Sequence, residues 1–114
     1  MEAKAHLRYL RIAPRKVSLV VALVRGKAVG SALSILKFTR KAAAKPVAKL
    51  IKSAVANATD LSKGEVDVDR LFVKSITVDQ GPTARRYMPR AMGRATRINK
   101  KSSHVHVTVA EAKK

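Results

Sequence analysis

Along the chain, hydrophobic and polar positions fall into six patterned stretches. In residues 3–10 the pattern alternates, with Ala3, Ala5, Leu7 and Tyr9 on one side and Lys4, His6, Arg8 and Leu10 on the other, which predicts a half-buried strand. Pro14 then suits the first turn of a helix, because its missing N–H would have no partner there. Val17, Val20, Val21 and Val24 follow at helical spacing, and Arg25-Gly26 supplies the stop. After a turn through residues 27–30, Ser31 is read as the N-cap of a short second helix carrying Leu33, Ile35 and Leu36 to about Phe38.

The third helix has the clearest period. Val47, Leu50, Ile51, Ala54, Val55 and Ala58 form an apolar stripe, and Lys41, Lys45, Lys49 and Lys52 project on another face. It is expected to begin after Thr39 and to end near residues 57–61, before a Ser62-Lys63-Gly64-Glu65 turn; Pro46 marks either a kink or the start of a shorter helix. Residues 71–79, rich in Val, Ile, Phe and Thr, read as a second strand. Residues 104–110 read as a third, with Val105, Val107 and Val109 facing one way. Strands at both ends around three helices, with no βαβ rhythm, predict an α+β fold: a small three-stranded antiparallel sheet packed with three helices.

Between the last two strands lies QGPTARRYMPRAMGRATRINKKSS, residues 80–103, too long for an ordinary loop. If the flanking strands continue through it, the segment is a long β-hairpin turning near residues 89–93. At about 12 residues per arm and roughly 3.3 Å each, it reaches on the order of 40 Å. Such an arm cannot bury its own side chains and must be coated by a partner. The expected organisation is one domain over residues 1–114: a body of about 1–79 and 104–114, and an arm of about 80–103.

Composition decides the kind of partner. The 114 residues hold 25 Lys and Arg against 7 Asp and Glu, a formal net charge of +18, which calls for a polyanion. The charges are segregated. No acid falls between Glu2 and Asp60, where thirteen basic residues lie, and none from Gln80 to Ala110, where seven lie. Five of those seven are Arg, whose planar fork grips phosphate and stacks on bases, and Tyr87, Met88, Met92 and Ile98 are interleaved with them. Folded RNA offers crevices lined with phosphates and unstacked bases, and it suits such an arm better than a regular duplex.

Other chemistries find little support. With no cysteine there is no disulfide, thiol nucleophile or cysteine-held metal. The N-terminus has no secretory pattern, and the longest apolar run, residues 17–24, is far short of the roughly 20 residues that span a bilayer. His104 and His106, with His6, are candidates for a metal site or an acid–base pair, but no acid lies near them in sequence to orient the rings. We therefore expect no enzyme activity, no cofactor or metal, no small-molecule substrate and no membrane partner. An architectural DNA-binding protein with a basic β-arm, Pro89 acting as a wedge, is the alternative reading.

Six ordered pieces, Arg11-Ile12-Ala13-Pro14-Arg15-Lys16-Val17, Val24-Arg25-Gly26-Lys27, Ser53-Ala54-Val55-Ala56-Asn57-Ala58, Val78-Asp79-Gln80-Gly81-Pro82, Met88-Pro89-Arg90-Ala91-Met92-Gly93-Arg94-Ala95 and Ser102-Ser103-His104-Val105, cover essentially the whole chain. Together they resemble the bacterial large-subunit ribosomal protein twenty-two family. The resemblance implies a cytoplasmic protein in the ribosome that binds large-subunit rRNA, supports assembly, and threads its hairpin inward to line the nascent-peptide exit tunnel. It also implies neighbouring ribosomal proteins, among them the second protein of the tunnel constriction, as partners, with the nascent peptide near the hairpin tip. On this reading the rRNA-contacting residues are Arg11, Arg15, Lys16, Arg25 and Lys27 on the body, Arg85, Arg86, Arg90, Arg94, Arg97, Lys100 and Lys101 on the arm, and His104 at its root. The tip facing the tunnel is Arg90, Ala91, Met92 and Gly93, and Ala84, Arg85 and Arg86 are the macrolide-adjacent stretch. Met92 stands where family members often carry a basic residue.

Overall fold

The computed structural model describes residues 2–65, 67–82, 84–89 and 95–111, with the backbone alone described for 84–89 and 95–100. Five strands and three helices follow in the order β1 (Glu2–Leu10), α1 (Pro14–Val24), α2 (Val29–Phe38), α3 (Ala44–Leu61), β2 (Leu71–Gln80), β3 (Ala84–Pro89), β4 (Ala95–Lys100) and β5 (Ser103–Glu111). A 3-10 turn, Val68–Arg70, precedes β2; Asp67 opens it by accepting a hydrogen bond from the backbone N–H of Asp69 at 3.0 Å.

The body is α+β, as its pattern predicts. β5 lies between β1 and β2 in an antiparallel sheet, and α3 packs across β1 and β5 while α1 packs on β2. Alternation in β5 places Val105, Val107 and Val109 in the core, opposite Ala3 and Ala5 of β1 and Val73 and Ile76 of β2. Val17, Val20, Val21 and Val24 of α1 and Val47, Ile51 and Ala54 of α3 are fully buried against them. Aromatic rings contribute little: Phe38 is 80% exposed and Tyr9 65%. A core of Val and Ala leaves the helices close to the sheet, and its largest fully buried side chains are Ile51, Leu71 and Ile76.

Two helix starts and the facing of one residue differ from the sequence reading. Ser31 is not the N-cap of α2. That helix starts at Val29, because Ala28 bridges to Phe72 at the sheet edge while its carbonyl accepts the first helical bond from Ala32 at 2.8 Å. α3 begins at Ala44 after a turn closed from Ala44 N–H to Lys41 O, so Pro46 stands in its first turn, where its missing N–H breaks no bond. Tyr9 does not follow Ala3 and Ala5 inward. β1 carries a bulge between Leu7 and Leu10, where Arg8 and Tyr9 oppose His104 alone, and Tyr9 adopts φ 59°. Left-handed backbone at such a residue costs about 1–2 kcal/mol, so the surroundings hold it there.

The exposed edge of β2 is covered by the turn after α1. Gly26, at φ 78°, donates its N–H to Val73 O, and Val73 N–H returns a bond to Lys27 O at 2.9 Å. Ser103, the buried polar residue among those described, donates its hydroxyl to Ile12 O at 2.6 Å and ties the start of β5 to the loop before α1.

The hairpin grows out of the sheet. Gln80 pairs with Ser103, Gly81 N–H bonds Ser102 O at 2.9 Å, and the ladder resumes at Ala84 opposite Lys100, running to Pro89 opposite Ala95. Three residues separate Gln80 from Ala84, but two separate Lys100 from Ser103, so the register slips by one at the root of the arm. The molecule measures 66 × 25 × 16 Å, with a radius of gyration of 17.3 Å. A compact domain of this length has about 13 Å. The turn expected near residues 89–93 lies, beyond Pro89, outside the described residues.

Candidate nucleic-acid interface

Most of the body's cations lie in the acid-free first half of the chain, and the folds of that half leave them on the outside. Arg11, Arg15, Lys16, Arg25 and Lys27 are all exposed, in the loop before α1, on its first turn and in the turn after it. Arg25 has a second duty: its guanidinium donates to Ile76 O at 3.0 Å, fastening the end of α1 to β2. Arg85 and Arg86 lie in β3, and Arg97 and Lys100 in β4. In the ladder Arg85 is paired with Asn99, and Arg86 with Ile98. Lys101 is exposed at the root, while Arg90, Ala91, Met92, Gly93 and Arg94 lie outside the described residues.

The structure adds a basic surface left out of that set. The C-terminal end of α2 and the start of α3 frame an open cleft of about 820 Å³ bordered by Lys37, Arg40, Lys41, Lys45 and Lys52. A second, of about 770 Å³, opens between α3 and β1, with His6, Lys45 and Lys49 on its rim. Lys45 and Lys52 border both. The signal was present in the sequence as a lysine face on α3; what the sequence did not show is that α2 brings Lys37 and Arg40 alongside it. Phe38 stands exposed at this corner, with Lys37 Nζ 5.9 Å from its ring centre.

Few carboxylates compensate. Among the described residues the ion pairs join Glu2 to Lys74 and Glu111 to Arg70 at 3.4 Å, and Asp79 lies 3.2 Å from His106, all on or beside the sheet. A hydrogen bond from Lys74, reinforced by its charge, holds the Glu2 carboxyl below the usual carboxylate range. The cations around α1, α2 and α3 are drawn into no ion pair among the described residues, so they repel one another until a polyanion neutralises them.

The histidines sit on the sheet face opposite the helices. The sequence offers no acid to orient them, yet the antiparallel register brings one alongside: Asp79 Oδ2 lies 3.2 Å from His106 Nε2, and the Nδ1 atoms of His106 and His6 share a hydrogen bond at 2.6 Å. His104 Nδ1 accepts the backbone N–H of Tyr9 at 3.0 Å, and the two rings meet edge to face, 4.9 Å between centres. No group of three or more His, Cys, Asp or Glu among the described residues is arranged to hold a metal ion. No helix among them is long and apolar enough to cross a membrane.

These features define a class: a small basic α+β protein with an extended β-arm, its unopposed cations suited to a polyanionic partner. Residues 5–110 match the family model described as Ribosomal protein L22p/L17e, and the chain belongs to that family. It is 73% identical to the large ribosomal subunit protein uL22 of Myxococcus xanthus across the full length of both chains. It is 60% identical to that of Syntrophotalea carbinolica over 97% of this chain and 99% of the relative, and 53% identical to that of Clostridioides difficile over 99% and 100%. The family is one of ribosomal structural proteins and not of enzymes, and membership implies association with ribosomal RNA and other ribosomal proteins.

Proposed function

We propose that this protein is a structural constituent of the large ribosomal subunit in the cytoplasm, and that it works by filling a crevice in folded rRNA with an arm that has no fold partner of its own. The observation that carries this reading is that β2 and β5 lead, past a one-residue slip in register, into the separate β3–β4 hairpin, beyond a body whose cations lie unopposed. The body, residues 1–79 and 104–114, docks on the RNA surface through Arg11, Arg15, Lys16, Arg25 and Lys27. The arm, residues 80–103, follows phosphates with Arg85, Arg86, Arg90, Arg94, Arg97, Lys100 and Lys101, and His104 meets RNA at its root. In this reading Arg90, Ala91, Met92 and Gly93 face the nascent peptide in the exit tunnel, near the second protein of the constriction, and Ala84, Arg85 and Arg86 lie beside the macrolide site.

Each phosphate neutralised releases counterions, so the arm's share of binding is read from salt dependence. Replacing residues 84–100 by a two-residue turn removes six cations. With every one of the six on a phosphate, the slope of log affinity for large-subunit rRNA against log salt becomes shallower by about four to five. Filter binding of the full chain and the shortened one, with duplex DNA as competitor, is the test. An unchanged slope, or preference for the duplex, would overturn the proposal.

A further inference from the structure

Tyr9 is left unexplained by phosphate binding. The alternation of β1 would send it inward beside Ala3 and Ala5, yet a bulge turns it out, at φ 59° and 65% exposed. Such strain in a bulky residue persists only where neighbours impose it, and it collects at binding sites. The neighbours are visible: the Tyr9 N–H is tied to His104 Nδ1, and the His104 ring meets the Tyr9 ring edge to face at 89°, fixing its orientation from one side. His104 in turn pairs with Asp79 in the ladder and crowds Gly81, so the ring stands at the root of the arm.

The surroundings select the ligand. Outward residues on this sheet face include Lys4, His6, Arg8, Lys74 and Thr77, which form no continuous apolar patch for a protein partner. Asp79 is engaged by His106. What remains is one oriented aromatic ring flanked in the chain by exposed Arg8 and Arg11, the combination that binds single-stranded RNA by stacking a base and holding its phosphates. We infer that Tyr9, buttressed by His104, is a stacking platform for an unpaired base of the large-subunit rRNA at the point where the arm leaves the body. The inference rests on the RNA-binding reading above and adds to it a contact, the stacked ring, that carries no charge.

Stacking and charge separate experimentally. The full-length protein is measured as Tyr9→Phe, Tyr9→Leu and Tyr9→Gly by filter binding to large-subunit rRNA over a salt series, with chemical probing of the RNA bases and thermal unfolding of each free variant. Tyr9→Phe binds within about twofold of the parent. Tyr9→Leu binds about 5- to 150-fold more weakly, the range for loss of one stacked base, with an unchanged salt slope, and one unpaired base protected by the parent becomes reactive. Tyr9→Gly also binds more weakly although its melting temperature holds or rises, because glycine accepts the backbone without strain. Parent affinity in Tyr9→Leu, or weakening that tracks lost thermal stability in both Leu and Gly variants, would overturn the site while leaving the arm's contribution standing. Failure of the parent itself to prefer rRNA over duplex DNA would overturn the reading beneath it.

Discussion

Gly81 shows how a single residue can set the course of an arm. Its backbone needs no special φ; the constraint is space. A Cβ there would meet Ser102 Oγ at 2.6 Å and the His104 ring at 3.1 Å, and Ser102 is itself held by its bond to Pro82 O at 2.7 Å. Gly81→Ala should therefore destabilise the body by about 1–3 kcal/mol in urea denaturation, the usual cost of overfilling a packed position, with part regained in the double variant with Ser102→Ala. A neutral Gly81→Ala would show that the root yields freely. This crowding, like the outward turn of Tyr9, was closed to sequence reading: both depend on which residues of β5 stand opposite, and a one-residue slip in register changes every such neighbour. The Asp79–His106 pair escaped for the same reason, since its partners are far apart in the chain and meet only diagonally across the ladder.

Among the elements, α3 carries the body. It packs on β1, β5 and α2, and its Asn57 side chain donates to Lys4 O at 2.9 Å, pinning β1 from outside the ladder. Ile51 is fully buried at its centre and among the largest such side chains. Ile51→Ala should cost about 2–5 kcal/mol, a large share of the roughly 5–15 kcal/mol that holds a domain together, measured by the urea midpoint at constant slope. A loss below about 1 kcal/mol would mean that the helix is not the keystone of the core. The elements themselves were legible in the chain because hydrophobic period and burial coincide: the valine stripes of α1 and β5 and the Val47, Leu50, Ile51 stripe of α3 are all core. Helix starts were less so. Ala28, Ala43 and Ala13 make no side-chain cap, and contacts with the sheet and preceding turns place α2 and α3 instead.

Across the whole molecule, charge and shape express one arrangement. Of the seven carboxylates, Glu2, Glu111 and Asp79 lie against Lys74, Arg70 and His106 on or beside the sheet and the other four fall between residues 60 and 69, while α1, the turn after it and the α2–α3 corner keep their cations out of any ion pair among the described residues. A formal charge of +18 on a core of small side chains is poorly suited to life alone in water and well suited to a polyanionic partner such as RNA, which neutralises the cations. The partner class was legible from charge and its segregation. The α2–α3 surface was not, because it joins residues of two helices whose mutual packing no local pattern encodes. The central claim, that the chain is held within the large subunit by this RNA enclosure, is tested most directly by sedimentation. After a high-salt wash of ribosomes from the native cell, the protein should remain in the large-subunit peak at about one copy per particle. Its recovery at the top of the gradient, with the particles otherwise intact, would contradict the account.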